Sequence, residues 1–252
     1  MNPAFSLDGK RVLVTGANTG IGQGIAVSVA RAGGSVIGVG RSAMDETAGL
    51  VKATGGGFTA VNCDLGDPVA AQAMLETAWD EHGPIDGLVN NAGIIRRADA
   101  MDFTEADWDD VMDVNLKSVF MLCQAFGRRL AAAGRRGKVV NVASMLSFQG
   151  GIRVASYTAS KHGVLGITRL LACEWAAKGI NVNAVAPGYI ETNNTEALRA
   201  DPDRSTAILA RIPAGRWGKP EDIGDAAVFL LAPASDYMHG AVVPVDGGWL
   251  AR

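Results

Sequence analysis

Short, mostly apolar runs alternate with amphipathic stretches along the whole chain. The runs at 11–15, 35–39, 58–62, 85–90, 138–143, 180–186 and 241–245 read as strands. Several are continuously apolar rather than alternating, which suits parallel strands covered on both faces. Between them, 20–32, 69–81, 105–133, 156–177 and 221–231 have the character of helices. Strand–helix repetition from end to end predicts an α/β, doubly wound (Rossmann) three-layer fold with a seven-stranded parallel sheet. No Pro/Ser-rich linker or low-complexity segment interrupts residues 1–252, so one domain is expected. Residues 188–218 break the rhythm: they are polar, with Pro202 as a helix start and Pro213-Ala214-Gly215 as a stop. A long insertion at the strand ends of such a sheet reads as a lid, the alternative being a surface excursion without function.

Composition narrows the class. Hydrophobic residues make up 48% and charged residues 19%, and the 32 glycines follow no triplet period, so they mark turns rather than a fibre. A net charge of −3 argues against nucleic acid, since such binders carry a strongly basic face. The Arg128-Arg129 and Arg135-Arg136 pairs read as the solvated end of a helix and its loop. No apolar run reaches the ~18 residues of a membrane span, and residues 1–10 lack the pattern of a signal peptide. Cys63, Cys123 and Cys173 are widely spaced in apolar surroundings and read as core residues, making a reduced, cytoplasmic location the default. His82, His162 and His239 have no partners at ligand spacing, so no metal is expected.

Chemistry is suggested at two places. The loop Thr15-Gly16-Ala17-Asn18-Thr19-Gly20-Ile21-Gly22 follows the first strand and opens the first helix. Glycines there permit a tight turn and close approach of backbone to a pyrophosphate, while the helix start offers free N–H groups. The competing explanation is glycines that merely let strand and helix pack. At the end of the second strand, Gly40-Arg41-Ser42 replaces the carboxylate that would bind ribose hydroxyls and repel a 2′-phosphate. Asp64-Leu65, after the third strand, either frames an adenine or is a plain capping turn.

The second place is a helix face. Tyr157 and Lys161 stand one helical turn apart, so both project the same way, and the strand 138–143 ends at Ser144. An ammonium near the phenol is expected to lower its pKa, and the serine to hydrogen-bond a substrate oxygen. Tyr-x-x-x-Lys alone is a chance pattern; joined to the glycine loop and to Asn90-Asn91-Ala92-Gly93 after the fourth strand, it becomes specific.

These motifs, with Asn115 and Pro187-Gly188, resemble those of the short-chain dehydrogenase/reductase family over essentially the whole chain. The resemblance implies an oxidoreductase that moves a hydride between NAD(H) or NADP(H) and a carbonyl or hydroxyl. It implies that Ser144, Tyr157 and Lys161 are catalytic, with Asn115 kinking a helix and holding a water of a proton relay. Cofactor contacts are expected from Gly16, Asn18, Thr19, Gly20, Ile21, Gly22, Arg41, Asp64, Leu65, Asn91, Ala92, Gly93, Tyr157 and Lys161. Pro187, Gly188, Ile190 and Thr192 should border the nicotinamide side.

A narrower resemblance extends over 143–151, 95–97, 189–195, 211–218 and 245–252, to the 2-dehydro-3-deoxy-D-gluconate 5-dehydrogenases, also named 2-deoxy-D-gluconate 3-dehydrogenases. That group is usually NAD-linked, whereas Gly40-Arg41 reads as compatible with NADP(H). A sugar-acid substrate needs a cation and convergent polar groups. Arg97, Ser144, Ser147, Gln149, Arg153 and Asn193 are the expected contacts, with Arg96, Asn194 and Arg216 nearby and Arg96 facing out. The alternatives are a 3-oxoacyl-carrier-protein reductase, whose carrier Arg96-Arg97 could serve, and a non-catalytic dinucleotide-binding scaffold. The family resemblance further implies a homotetramer. Leu165, Leu170, Leu171 and Trp175, with Val119, Phe120, Leu122 and Phe126, read as surplus apolar helix surface, and Trp249-Leu250 as a contact tail.

Overall fold

The computed structural model describes residues 2–252. Its elements in chain order are β1 (Arg11–Thr15), α1 (Gly20–Arg31), β2 (Ser35–Gly40), α2 (Asp45–Ala53), β3 (Phe58–Asn62) and α3 (Pro68–His82). Then come β4 (Gly87–Asn90), α4 (Glu105–Met112), α5 (Ser118–Ala132), β5 (Gly137–Val142), α6 (Ala155–Trp175) and β6 (Ile180–Pro187). The last are α7 (Glu196–Ala200), α8 (Pro202–Leu209), α9 (Pro220–Leu231) and β7 (Val242–Val245). The seven strands form one parallel sheet in the order β3-β2-β1-β4-β5-β6-β7. The order reverses between β1 and β4, and at their carboxyl ends such a sheet opens a ligand crevice.

The continuously apolar strands have the reason predicted for them. Successive side chains of β1 point to opposite faces: Val12 and Val14 pack with Ile25 and Val29 of α1 and Ile223 and Leu230 of α9. Leu13 packs instead with Leu75 of α3, Leu122 and Phe126 of α5, and Leu171 of α6. Two such layers make a three-layer sandwich, each fully buried aliphatic or aromatic side chain contributing about 1.5–3 kcal/mol.

Several expectations change. The helical stretch 105–133 is two α-helices joined by a π-helical turn at Asp113–Lys117, which contains Asn115. Helix α2 had no counterpart in the sequence pattern. The helix surface read as surplus is mostly core: Leu165, Leu171, Val119, Leu122 and Phe126 are all buried within the chain, and Leu170 alone of the eight is largely open, at 50% exposure. Trp249, expected at a subunit contact, is 5% exposed and packs with Met145, Ile208, Ile212 and Trp217 of its own chain. Cys173 lies exposed rather than in the core, whereas Cys63 and Cys123 are buried.

Candidate active site

The glycine loop and Asn91-Ala92 meet at the carboxyl ends of β1 and β4. Gly16 has φ +66°, and a Cβ there would stand 2.9 Å from Asn91 Nδ2 and 3.0 Å from Ala92 Cα. At Gly22 a Cβ would run into the Gly16 carbonyl, so the loop can close over the helix start only with glycine at both places. Thr15 ties the two strand ends together: its Oγ1 accepts from the Asn91 and Ala92 amides at 2.9 and 3.0 Å and donates to Val89 O. Asn91 Nδ2 donates back to Thr15 O at 2.9 Å. Thr19 takes the N-cap position of α1 without a side-chain bond, leaving N–H groups of the first turn free for an anion. This cradle, shaped by positions a side chain would fill, fits a dinucleotide pyrophosphate.

At the end of β2, Arg41 Nη1 meets Asp64 Oδ2 at 3.6 Å, with side chains 67% and 59% exposed. Asn18 Nδ2 donates to Ser42 Oγ at 2.8 Å, and Asn62 Nδ2 to Arg41 O. A Cβ at Gly40 would stand 3.1 Å from Asn18 Oδ1, so this corner is closely filled already. Leu65 is buried, and its carbonyl accepts from Ser118 Oγ at 2.7 Å, which anchors the turn after β3 to α5.

Ser144, Tyr157, Lys161 and Asn115 converge at the carboxyl ends of β4 and β5. Ser144 stands two residues beyond β5 and caps a short 3-10 turn (Met145–Ser147), its Oγ accepting from the Leu146 amide at 3.1 Å. Lys161 is buried and Nζ donates to Val142 O at 2.7 Å, while also lying 5.6 Å from the Tyr157 ring centroid. Burial pulls the lysine pKa down to about 8. Burial also pushes the Tyr157 phenol up, with the neighbouring Ser144 hydroxyl and the charge of Arg97 acting the other way. That reverses the expected lowering, because desolvation outweighs the charges facing the phenol and the lysine is directed at a backbone carbonyl. Asn115 spends its side chain on its neighbours, accepting from Ile94 N at 2.8 Å and donating to Ile94 O at 2.9 Å and to Ser160 Oγ at 3.4 Å. A relay water would therefore need the main chain at the π turn. Gly93 lies between Asn115 and Lys161: a Cβ there would be 3.3 Å from Asn115 Oδ1 and 3.8 Å from Lys161 Nζ.

The polar residues expected at a substrate separate into two groups. Ser147 is buried; its Oγ donates to Lys161 O at 2.7 Å and accepts from the Ser144 amide at 3.2 Å, so it braces the site from behind instead of facing a substrate. Arg216 forms a two-pronged pair with Asp222 at 2.7 and 3.0 Å and is likewise occupied. Arg96 is held by Asp107 at 3.4 Å and Asp110 at 3.1 Å. Arg153 has φ +63° and pairs with Asp99 at 3.1 Å, linking the loop after Ser144 to the loop after Gly93. Arg97 is exposed, acts on the Tyr157 phenol, and forms no ion pair among the described residues. Gln149 is partly buried and Asn193 exposed.

Beyond β6, Pro187 and Ile190 are buried and the Gly188 amide donates to Val245 O at 3.0 Å. The Thr192 methyl would touch a Cβ at Gly20 at 3.2 Å, so residues 188–218 begin against the glycine loop. Sequence reasoning missed two participants, Asp99 and the bracing role of Ser147. Their signals lie in contacts between distant segments, which no local pattern reveals.

A family model described as enoyl-(acyl carrier protein) reductase matches residues 16–250. A 2-dehydro-3-deoxy-D-gluconate 5-dehydrogenase of Dickeya dadantii is 57% identical over 248 residues, covering 98% of each chain. A crystal structure with bound NADP, of an Agrobacterium tumefaciens protein assigned as a candidate 2-deoxy-D-gluconate 3-dehydrogenase, superposes with a TM-score of 0.95. It is 63% identical and is matched over 100% of both chains. The 3-oxoacyl-[acyl-carrier-protein] reductase FabG of Vibrio cholerae is more distant, 40% identical over 97% of this chain and 98% of its own.

Proposed function

The chain belongs to the short-chain dehydrogenase/reductase family, and we propose that it interconverts a keto and a hydroxyl group on a deoxy sugar acid of the 2-keto-3-deoxygluconate type. NAD(H) or NADP(H) is its redox partner in this reading. The observation that carries the substrate class is Arg97, an exposed guanidinium in no ion pair among the described residues, whose charge acts on the Tyr157 phenol. A carboxylate held there would put the rest of a sugar acid before Tyr157 and Ser144. The protein bearing the 2-dehydro-3-deoxy-D-gluconate name at 57% identity supports the same class. The acyl-carrier reading loses part of its basis, because Arg96 is already bound by Asp107 and Asp110.

In this reading the glycine loop would hold the nicotinamide dinucleotide, with Asn91, Gly93, Pro187, Gly188, Ile190 and Thr192 on the nicotinamide side and Arg41 and Asp64 at the adenosine. When bound, it supplies or accepts the hydride. Tyr157 gives its phenolic proton to the substrate oxygen as the carbonyl is reduced, and takes one from the hydroxyl in oxidation. A phenol held protonated by burial suits the acid role at neutral pH. Ser144 keeps one acceptor position on the Leu146 amide, so its own O–H can orient the same substrate oxygen. Lys161 holds its charge beside the phenol and stabilises the phenolate left behind. Residues 188–218 serve as a lid over this crevice, within a single domain. The same reading gives a cytoplasmic enzyme that assembles into homotetramers, with the half-exposed Leu170 of α6 at a contact between copies.

A cofactor-absorbance assay tests the substrate class with 2-keto-3-deoxygluconate, an acyl thioester and a substrate-free control. Preferred turnover of the sugar acid is expected. Preferred turnover of the thioester would overturn the reading in favour of a generic carbonyl reductase.

A further inference from the structure

The C-terminal tail is built into the lid. Trp249 is 5% exposed and packs with Ile208, Ile212 and Trp217 of the 188–218 segment, and also with Met145, the residue directly after Ser144. Tyr189 meets its ring at 4.9 Å between centroids, and the Arg211 guanidinium lies 3.9 Å over it. The tail around the indole is itself pinned. Asp246 accepts from the Gly248 and Leu250 amides at 2.9 Å each, Gly247 O accepts from Ala214 N, and Arg252 Nη2 donates to Ala210 O at 2.9 Å. One buried cluster centred on this side chain thus joins three bodies: the tail, the base of the lid and the turn that carries the serine.

We propose that Trp249 is a positioning residue, which locks the lid base and the Met145 side of the Ser144 turn into one packed unit, so that ordering of residues 188–218 sets the serine hydroxyl for reaction. Aromatic and cation–π contacts add to area burial, and the Tyr189 ring and the Arg211 guanidinium both act on this one indole. Met145 cannot leave the cluster without drawing on the short turn whose first residue is Ser144, and the Ser144 amide is fixed to Ser147 Oγ, hence to Lys161. Displacing such a group by even an ångström costs about a hundredfold in rate. The indole supplies shape, not a hydrogen bond: Trp249 Nε1 is buried without an acceptor among the described residues. Trp249→Phe therefore removes a donor that stabilises nothing here and keeps an aromatic ring in place.

The proposal rests on Ser144 as a reacting-site residue and is tested with whichever carbonyl substrate the wild type turns over, so it stands apart from the sugar-acid assignment. Variants are compared per cofactor site, counted by the fluorescence of bound NADPH or NADH, which separates mispositioning from loss of folded protein. Trp249→Ala should lower per-site kcat by at least about tenfold and raise substrate KM. It should also speed tryptic cleavage at Arg199 and Arg204 in the lid. Trp249→Phe should restore most of all three. Native per-site kcat and KM in Trp249→Ala, or equal damage in Trp249→Phe, would overturn the proposal. Should Trp249→Ala not fold, Met145→Ala trims the same cluster from the serine side. It must show the same per-site loss of kcat, and native kinetics in it would overturn the proposal as well.

Discussion

The carbonyl of Val142 holds the buried ammonium of Lys161 at 2.7 Å, fastening helix α6 to the end of β5. Ser147 adds a second tie from the other side of the same residue, donating to Lys161 O at 2.7 Å. Tyr157 and Ser144 owe their relative placement to these two bonds, since one sits on the helix and the other just beyond the strand.

Burying that ammonium has a cost that can be measured. The Lys161 pKa falls from 10.5 to about 8, so the folded state binds its proton less tightly than the unfolded chain. Stability should rise with pH between those values, where the unfolded chain carries the proton and the folded one has released it. Below about pH 8 the penalty is fully present, with an upper bound of roughly 3 kcal/mol. Lys161→Met should then melt higher than wild type at pH 7, and the gain should shrink as pH rises through 8 towards 10.5. Activity should be almost lost throughout. A lower melting temperature at pH 7 would mean that the Val142 bond outweighs the desolvation.

Tyr157→Phe removes only the hydroxyl. Proton transfer of this kind is worth about 10²–10⁴ in rate, and the variant should lose that much kcat while binding cofactor as before. Because burial keeps the phenol protonated, oxidation by the wild type should speed up towards alkaline pH, and reduction should be favoured at neutral pH. Near-native kcat in the variant would remove Tyr157 from the reaction.

The cofactor choice turns on Arg41 and Asp64. Their pair is exposed and 3.6 Å long, and such pairs are worth about 0–1 kcal/mol. A 2′-phosphate offers Arg41 a charge-assisted hydrogen bond of about 1.5–3 kcal/mol, so the arginine should leave Asp64 for it. NADP(H) should therefore be used within about a hundredfold of NAD(H), near 2.7 kcal/mol in kcat/KM. Arg41→Ala should weaken NADP(H) more than NAD(H). A larger preference for NAD(H), untouched by Arg41→Ala, would place the selection elsewhere.

The layered sheet was legible because each strand buries both faces, as Val12 and Leu13 do, which writes itself into the sequence as unbroken apolar runs. Helix α2 was not legible, for a physical reason: its buried side chains are Val51 and the polar Thr47, whose hydroxyl is satisfied by Ala17 O at 2.8 Å. A polar residue buried through a bond from another segment leaves no apolar stripe to read. Ser147 misled in the same way, since a serine near Ser144 reads as a ligand contact until its partners are seen. Gly16, Gly22, Tyr157 and Lys161 were legible because a tight loop and a helix face are local. The ion pairs that occupy Arg96, Arg153 and Arg216 join segments far apart in sequence or depend on loop shape, and only the folded chain distinguishes them from Arg97.

That distinction decides which cation reads the substrate carboxylate. Of the arginines near the crevice, Arg96 and Arg216 each already hold acidic partners, and taking either for a substrate would first break those bonds. Arg153 is held by one exposed aspartate, Asp99, at 3.1 Å, a pair that is cheap to break, but its left-handed backbone at φ +63° limits how its side chain can turn. Arg97 needs no exchange of partners and already acts on the Tyr157 phenol. A two-pronged bond from Arg97 to the carboxylate should therefore do most of the binding. Arg97→Met should cost about 2–4 kcal/mol in kcat/KM for 2-keto-3-deoxygluconate, the loss of a charge-assisted bond, and leave an uncharged ketone nearly unaffected. Arg153→Met should cost less, and Asp99→Asn, which frees Arg153, should leave turnover near native or improve it. If Arg97→Met and Arg153→Met both leave turnover of the sugar acid intact, neither cation reads a carboxylate. The substrate class would then have to be sought among uncharged carbonyl compounds.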